Sequence, residues 1–152
     1  MKKICFVASS GGHLQELLCL QELMNNSDSF LVTENDGIVD KGINVPTYYV
    51  PQINRKEKNF FCHFFKLFFL FTKLLIKKNP QYIVSTGALI AFPACLIGKF
   101  FGKKIIYIES FARITHPSLS GKLIYRFSDL FLVQWESMLK FYPKAIYIGG
   151  IF

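Results

Sequence analysis

Residues 7–23 read VASSGGHLQELLCLQEL, and this stretch decides the fold. An apolar run over residues 4–8 stops at Ser9, Ser10, Gly11 and Gly12, meets His13, and becomes a helical pattern with Leu14, Leu17, Leu18 and Leu20 apolar. A buried strand passing through small residues into a helix is the opening unit of a parallel α/β sheet. The same alternation continues along the chain. Further strands are expected at 30–33 and 47–50, on either side of the turn-rich ENDGIVDKGIN, and in QYIVSTG, KKIIYIES, DLFLVQ and KAIYIGG. Helices are expected over 14–24, 60–78, 88–101, 119–127 and 136–141, with Asn79-Pro80 closing the long one. Right-handed crossovers then give a Rossmann-like, doubly wound parallel sheet covered on both faces, one domain over 1–152.

The chain of 152 residues is 51% hydrophobic and holds 17 Phe. Its mean hydropathy of +0.31 is high for a protein of 17.5 kDa. The net charge of +8 points to an anionic partner: a phosphorylated ligand, a membrane surface or nucleic acid. Cys5, Cys19, Cys62 and Cys95 show no metal-type spacing and read as reduced thiols, those of Cys5 and Cys19 in the core, which favours the cytosol. The opening MKKICFVASSGGH has too short an apolar run for a signal peptide. No stretch of about 18 uncharged apolar residues suits a membrane-spanning helix.

Ligands of open α/β sheets bind beyond the carboxyl ends of the strands. Three strand ends carry suitable chemistry: Ser9-Ser10-Gly11-Gly12-His13, Ser85-Thr86-Gly87, and Glu109-Ser110-Phe111-Ala112-Arg113. The first two offer small residues and backbone N–H groups at helix starts, which suit a phosphate, and Arg113 adds a bidentate donor. Each has a plainer reading: a tight βα corner, a helix-start His13, or a Glu109 that is solvated in a loop or only pairs with Arg113. His63 and His116 are weaker candidates, and Trp135 reads as a packing residue. Glu34 suits the acidic position of a dinucleotide site, but SSGGH is not the G-x-G-x-x-G turn, and no P-loop is present.

The stretch from Ile53 to Lys78 holds seven cations, Arg55, Lys56, Lys58, Lys66, Lys73, Lys77 and Lys78, against Glu57 alone. It supplies most of the net charge. Helical spacing gathers Asn59, His63, Lys66, Lys73 and Lys77 on one arc and leaves a surplus of Phe and Leu. Such a helix is expected to lie on a membrane, with Phe60, Phe61, Phe64, Phe65, Phe68 and Phe69 toward the acyl region and Lys66, Lys73 and Lys77 on anionic headgroups. The apolar stretch at 88–101 can deepen this patch, and a partner protein or the core are the other ways to cover it. Nucleic acid is not expected, because the aromatics sit on helix faces rather than on an exposed strand surface.

Three ordered segments, SSGGHLQELLCL, VSTGALIAFPACLIGKFFGKKIIYIESFARI and SDLFLVQWESM with YIGGIF, resemble one family over essentially the full length. It comprises the membrane-docking, acceptor-binding subunits of two-component UDP-N-acetylglucosamine transferases of lipid-linked oligosaccharide synthesis. Its bacterial branch serves capsular or exopolysaccharide β-1,4-transferases, and a bacterial origin is expected here because the chain lacks the N-terminal anchor usual in eukaryotic members. The resemblance implies the N-terminal, acceptor half of a GT-B glycosyltransferase, peripheral at the cytoplasmic face of the cell membrane. It implies a polyprenyl-diphosphate-linked sugar as acceptor and a small partner subunit that carries the UDP-sugar. No cofactor or metal is expected on this chain.

By that resemblance Ser9, Ser10, Gly11, Gly12 and His13 meet the acceptor diphosphate or its sugar, and Ser85, Thr86 and Gly87 line the same cleft. Glu109 and Arg113 border it in the family's E-x-x-A-R pattern. Inverting transfer needs a general base, for which His13 is the first choice and Glu109 the reserve, unless the partner supplies it. Gly149, Gly150, Ile151 and Phe152 form the expected partner-docking end. The alternatives are a peripheral membrane adaptor that never touches the acceptor, or a stand-alone small glycosyltransferase.

Overall fold

A computed structural model describes residues 1–35, 42–53 and 58–151. Seven parallel strands form one sheet in the order β3-β2-β1-β4-β5-β6-β7. They are β1 Lys3–Ala8, β2 Asp28–Asn35, β3 Thr47–Pro51, β4 Tyr82–Gly87, β5 Lys104–Ile108, β6 Leu130–Val133 and β7 Ile146–Tyr147. The helices are α1 Gly12–Leu18, α2 Gln21–Asn25, α3 Phe60–Lys78, α4 Ala91–Phe100 and α5 Leu119–Ile124, with a 3-10 turn at Glu136–Lys140. The chain winds outward from β1 through β2 to β3, then crosses back to β4 and proceeds to the other edge. The order reverses between β1 and β4, where doubly wound sheets open a crevice.

The two-residue period of the strands splits the core. Cys5 and Val7 face a cluster with Leu67, Phe71 and Leu75 of α3 and with Ala91, Ala94 and Cys95 of α4. Ile4, Phe6 and Ala8 face the other way, onto Leu14, Leu17 and Met24 under α1 and α2. Both faces are therefore covered, as the continuous apolar strands require.

The boundaries depart from expectation where local chemistry intervenes. The helix expected over 14–24 is two, because the N–H groups of Cys19 and Leu20 bond back three residues, to Glu16 and Leu17, and tighten the end of α1. The helix expected from residue 88 starts at Ala91, since Gly87 (φ 114°) and Ala88 (φ 68°) both take positive φ in a sharp corner. Both α5 and β7 are shorter than expected. The long helix matches: Asn79 caps α3 in the left-handed conformation (φ 47°) just before Pro80. Cys5 and Cys95 are buried free thiols, whereas Cys19, expected in the core, is exposed like Cys62.

Candidate functional site

The crevice between β1 and β4 is closed by a reciprocal clasp. His13 Nδ1 lies 3.0 Å from the Thr86 carbonyl, and the Thr86 hydroxyl donates to the His13 carbonyl at 2.7 Å. A carbonyl only accepts, so Nδ1 carries the proton, and the neutral ring then keeps Nε2 as a bare acceptor. Gly87 backs the ring: an added Cβ would stand 3.5 Å from it and 2.6 Å from the Tyr107 hydroxyl. The last residue of β4 therefore has to be glycine on two counts, its positive φ and its crowding.

Gly11 (φ 81°) makes the corner into α1, which no side chain caps. The first N–H groups of α1 thus lack intrahelical partners. A Cβ at Gly11 or Gly12 would meet nothing within 4 Å, so the backbone stands open there. Ser10 is half-buried beside it, while Ser9 is buried with a hydroxyl that finds no protein partner.

Ser85 and Thr86 do not line the crevice surface. Both are fully buried; the Ser85 hydroxyl accepts from the Gly87 N–H at 3.1 Å, and the Thr86 hydroxyl is committed to His13. They support the site from beneath, and Gly87, also buried, works with them.

Glu109 is no free base. At 1% exposure its Oε1 accepts from the Ser118 hydroxyl (2.8 Å) and the Ser110 N–H (3.1 Å). Its Oε2 accepts from the Tyr142 hydroxyl (2.7 Å) and the Ser118 N–H (3.2 Å). Every lone-pair direction is used, so the carboxylate staples the 110–118 loop, the start of α5 and Tyr142 together. Burial, with Glu109 nearby, pushes the Tyr142 and Tyr107 hydroxyls well above their usual range and keeps them as donors. Glu109 makes no ion pair with Arg113, whose exposed guanidinium extends from the turn that its own N–H closes onto Ser110.

The aromatic residues of α3 divide. Phe60, Phe64 and Phe68 are half-buried: Phe60 and Phe64 pack against the core, and Phe68 lies edge-on to Phe92 at 6.4 Å, so they are less available to a membrane than their neighbours. Phe61 (73% exposed), Phe65 (68%) and Phe69 (59%) form an outward ridge that Ile76 extends, flanked by the exposed Lys66, Lys73 and Lys77. The Lys73 ammonium sits 4.4 Å over the Phe69 ring. Among the described residues no helix is long and apolar enough to cross a membrane. Trp135 packs as expected, its ring 4.8 Å from Phe111 and its N–H donating to the Phe111 carbonyl.

At the other edge β7 leaves Ile146, Tyr147 and the following Ile148 exposed. Gly149 takes positive φ, Gly150 lies against the Phe111 ring, and the Ile151 N–H donates to the Gln134 side chain at 3.0 Å. Gln134 in turn donates to the Glu109 carbonyl at 3.1 Å, which ties the chain end to the crevice loop. Phe152 lies outside the described residues, as do Arg55, Lys56 and Glu57 of the basic segment.

A family model described as oligosaccharide biosynthesis protein Alg14 like matches residues 55–151, more than half of the chain. The chain belongs to the Alg14-like family. The UDP-N-acetylglucosamine transferase subunit ALG14 of Mus musculus is 29% identical over 98% of this chain and 82% of its own length. That of Schizosaccharomyces pombe is 47% identical over 46% of this chain and 36% of its own. The fold matches one half of larger, GT-B-type proteins. MurG of Acinetobacter baumannii superposes with a TM-score of 0.75 at 15% identity, over 90% of this chain and 43% of its own. UDP-N-acetylglucosamine 2-epimerase of Rickettsia bellii gives 0.80 at 16%, over 99% and 45%.

Within this Alg14-like domain, sequence reasoning passed over Glu16, Gln134, Ser118 and Tyr142. Gln134 and Tyr142 carry no motif. Glu16 did carry a signal: it is the one acid on the buried side of α1, at a position the leucine pattern reserves for the core.

Proposed function

We propose that this chain is the acceptor-side subunit of a two-component, UDP-sugar-dependent glycosyltransferase. It presents a polyprenyl-diphosphate-linked sugar, at the cytoplasmic face of a membrane, to a small partner that holds the UDP-sugar. The observation that carries the reading is the clasp of His13 on Thr86, beside the open backbone of Gly11 and Gly12 at the sheet's switch point. Membership of a family whose relatives are named as UDP-N-acetylglucosamine transferase subunits supports the division of labour.

In this reading His13 Nε2 takes the proton of the acceptor hydroxyl as its oxygen attacks the anomeric carbon and the UDP leaves from the opposite side. The N–H groups around Gly12 and the Arg113 guanidinium hold the acceptor diphosphate. The Phe61–Phe65–Phe69 ridge and its lysines keep the subunit where the lipid is. The exposed edge at β7 and residues 149–151 receive the partner. The finer placement, a bacterial capsular or exopolysaccharide β-1,4-transferase, rests on the motif resemblance alone.

The test is transfer from radiolabelled UDP-sugars to lipid-diphosphate-sugar in membranes, with this chain alone and with the small subunit. Activity only in the mixture, abolished by His13→Ala with partner recruitment intact, is the expected result. Activity of this chain alone overturns the split-enzyme reading. Undiminished transfer by His13→Ala in the mixture removes His13 as the base and favours an adaptor.

A further inference from the structure

Three buried side-chain atoms among the described residues find no hydrogen-bond partner: Ser9 Oγ, Thr33 Oγ1 and Glu16 Oε2. Only the last belongs to an ionisable group. Glu16 follows His13 by one turn of α1, and residues three apart on a helix are neighbours on its surface. It is 4% exposed. Both of its hydrogen bonds fall on one oxygen: Oε1 accepts from the Ser110 hydroxyl at 2.9 Å and from the Phe111 N–H at 2.7 Å.

That distribution is not what a staple needs. Tying α1 to the 110–113 turn takes one acceptor oxygen, which a neutral amide supplies as well. A carboxylate with half of its acceptor capacity idle in a buried position is costly, so a neutral residue would hold the loop more cheaply. Compare Glu109, where both oxygens are filled. The titratable groups that act on Glu16 are His13 on its own helix and Glu109 at the end of β5. Of these, only His13 can become positive.

We infer that Glu16 is a positioning residue for the transfer reaction: it fixes the His13 helix against the Arg113 turn, and its unpaired oxygen offsets the charge that His13 gains as base. This rests on the reading of His13 as the base. As the acceptor O–H bond breaks, its electron pair becomes the new bond to the anomeric carbon, the UDP departs with the old one, and the proton stays on Nε2. The imidazolium then forms one helical turn from a carboxylate whose second oxygen has no other partner. Burial pushes the Glu16 carboxyl above its usual range, the bonds from Ser110 and Phe111 and the charge on His13 draw it down, and Glu109 pushes it up. A positive charge on His13 therefore favours the ionised form of Glu16.

The test compares Glu16→Gln, Glu16→Ala, His13→Ala and the double variant His13→Ala/Glu16→Gln. Each is assayed with the small subunit, short-chain polyprenyl-diphosphate-N-acetylglucosamine and UDP-N-acetylglucosamine. Glu16→Gln keeps an acceptor for Ser110 and Phe111. It is expected to lower kcat about tenfold or more with KM for the acceptor little changed. The ascending acid limb of its pH profile moves to lower pH, because His13 has lost a neighbouring negative charge. In the His13→Ala background the same change costs nothing further. Wild-type kcat and an unmoved limb in Glu16→Gln, with loss confined to Glu16→Ala and its melting temperature, reduce Glu16 to a staple and overturn the inference. Wild-type transfer by His13→Ala instead removes the reading on which it rests. An NMR titration of the unsubstituted chain needs no variant to fold: coupled curves for the His13 ring and the Glu16 carboxyl are expected, and independent curves overturn the pairing.

Discussion

The Tyr142 hydroxyl donates a 2.7 Å hydrogen bond to Glu109 Oε2 at a place where both side chains are at most 2% exposed. This contact joins the end of β5 to the segment after the 3-10 turn, and Ser118 completes it from the start of α5. Removing the carboxylate leaves Tyr142 and Ser118 with unmet donors in a dry site. Glu109→Ala should therefore destabilise the fold by about 3–5 kcal/mol in urea titration, whatever it does to transfer. A variant that keeps wild-type stability while losing activity would return Glu109 to the list of bases.

Gly11 and Gly12 separate backbone need from ligand access. Gly11→Ala puts a Cβ on a residue at φ 81° and should cost about 1–2 kcal/mol. Gly12 has no such constraint and faces open space. Gly12→Ala and Gly12→Leu should melt no lower than wild type, since glycine is the poorer helix residue by up to about 1 kcal/mol. The Leu variant should nonetheless raise KM for the acceptor sharply. Equal KM values would mean that no ligand approaches this backbone.

The two sides of α3 should respond in opposite ways. Phe61→Glu, Phe65→Glu and Phe69→Glu together change exposed positions, so far-UV circular dichroism and melting stay close to wild type, while sedimentation with anionic vesicles falls to background. Phe71→Ala, in the core, should cost about 3–5 kcal/mol. Vesicle binding that survives the triple substitution would assign the membrane contact elsewhere.

Asp129 anchors β5 beside β6. Burial alone would raise its carboxyl, but the Ile105 N–H at 2.9 Å and the ammoniums of Lys99 and Lys104 outweigh that and hold it at about 2, against 3.8 ordinarily. A group whose folded pKa is depressed stabilises the fold above its unfolded value, and that contribution disappears as pH falls through the folded one. Asp129→Ala should thus cost about 1 kcal/mol at pH 7, since solvent screens much of the attraction at this exposed site. The gap from wild type should close between pH 4 and pH 2 in acid unfolding curves; a constant gap would show that packing, not charge, is what is lost.

The sheet was legible because its strands are apolar runs of the right length and its corners hold glycine, proline or asparagine. The long helix was legible to the residue, since Asn79-Pro80 leaves no choice of ending. The site was legible in part. Gly11, Gly12 and His13 announce themselves by type and place, whereas Ser85 and Thr86 look like ligand contacts and are buried supports. Glu109 misled for a physical reason: an acid at a strand end reads the same whether its four acceptor directions face a ligand or Ser118, Ser110 and Tyr142, which lie up to 33 residues further on. The halving of the α3 phenylalanines needed the structure, because spacing defines faces but does not say which face a sheet claims.

The direction of α3 carries a consequence for posture. The helix follows β3, which ends at the carboxyl edge of the sheet, and runs to the start of β4, so its Phe61 end lies toward the crevice and Lys77 toward the opposite end. At 1.5 Å per residue its 19 residues make a strut of about 28 Å. A flat surface that takes up Phe61 and Phe65, the most exposed part of the ridge, would tip the molecule mouth-down, bringing the histidine toward headgroup depth while the far end of the sheet stays clear in water.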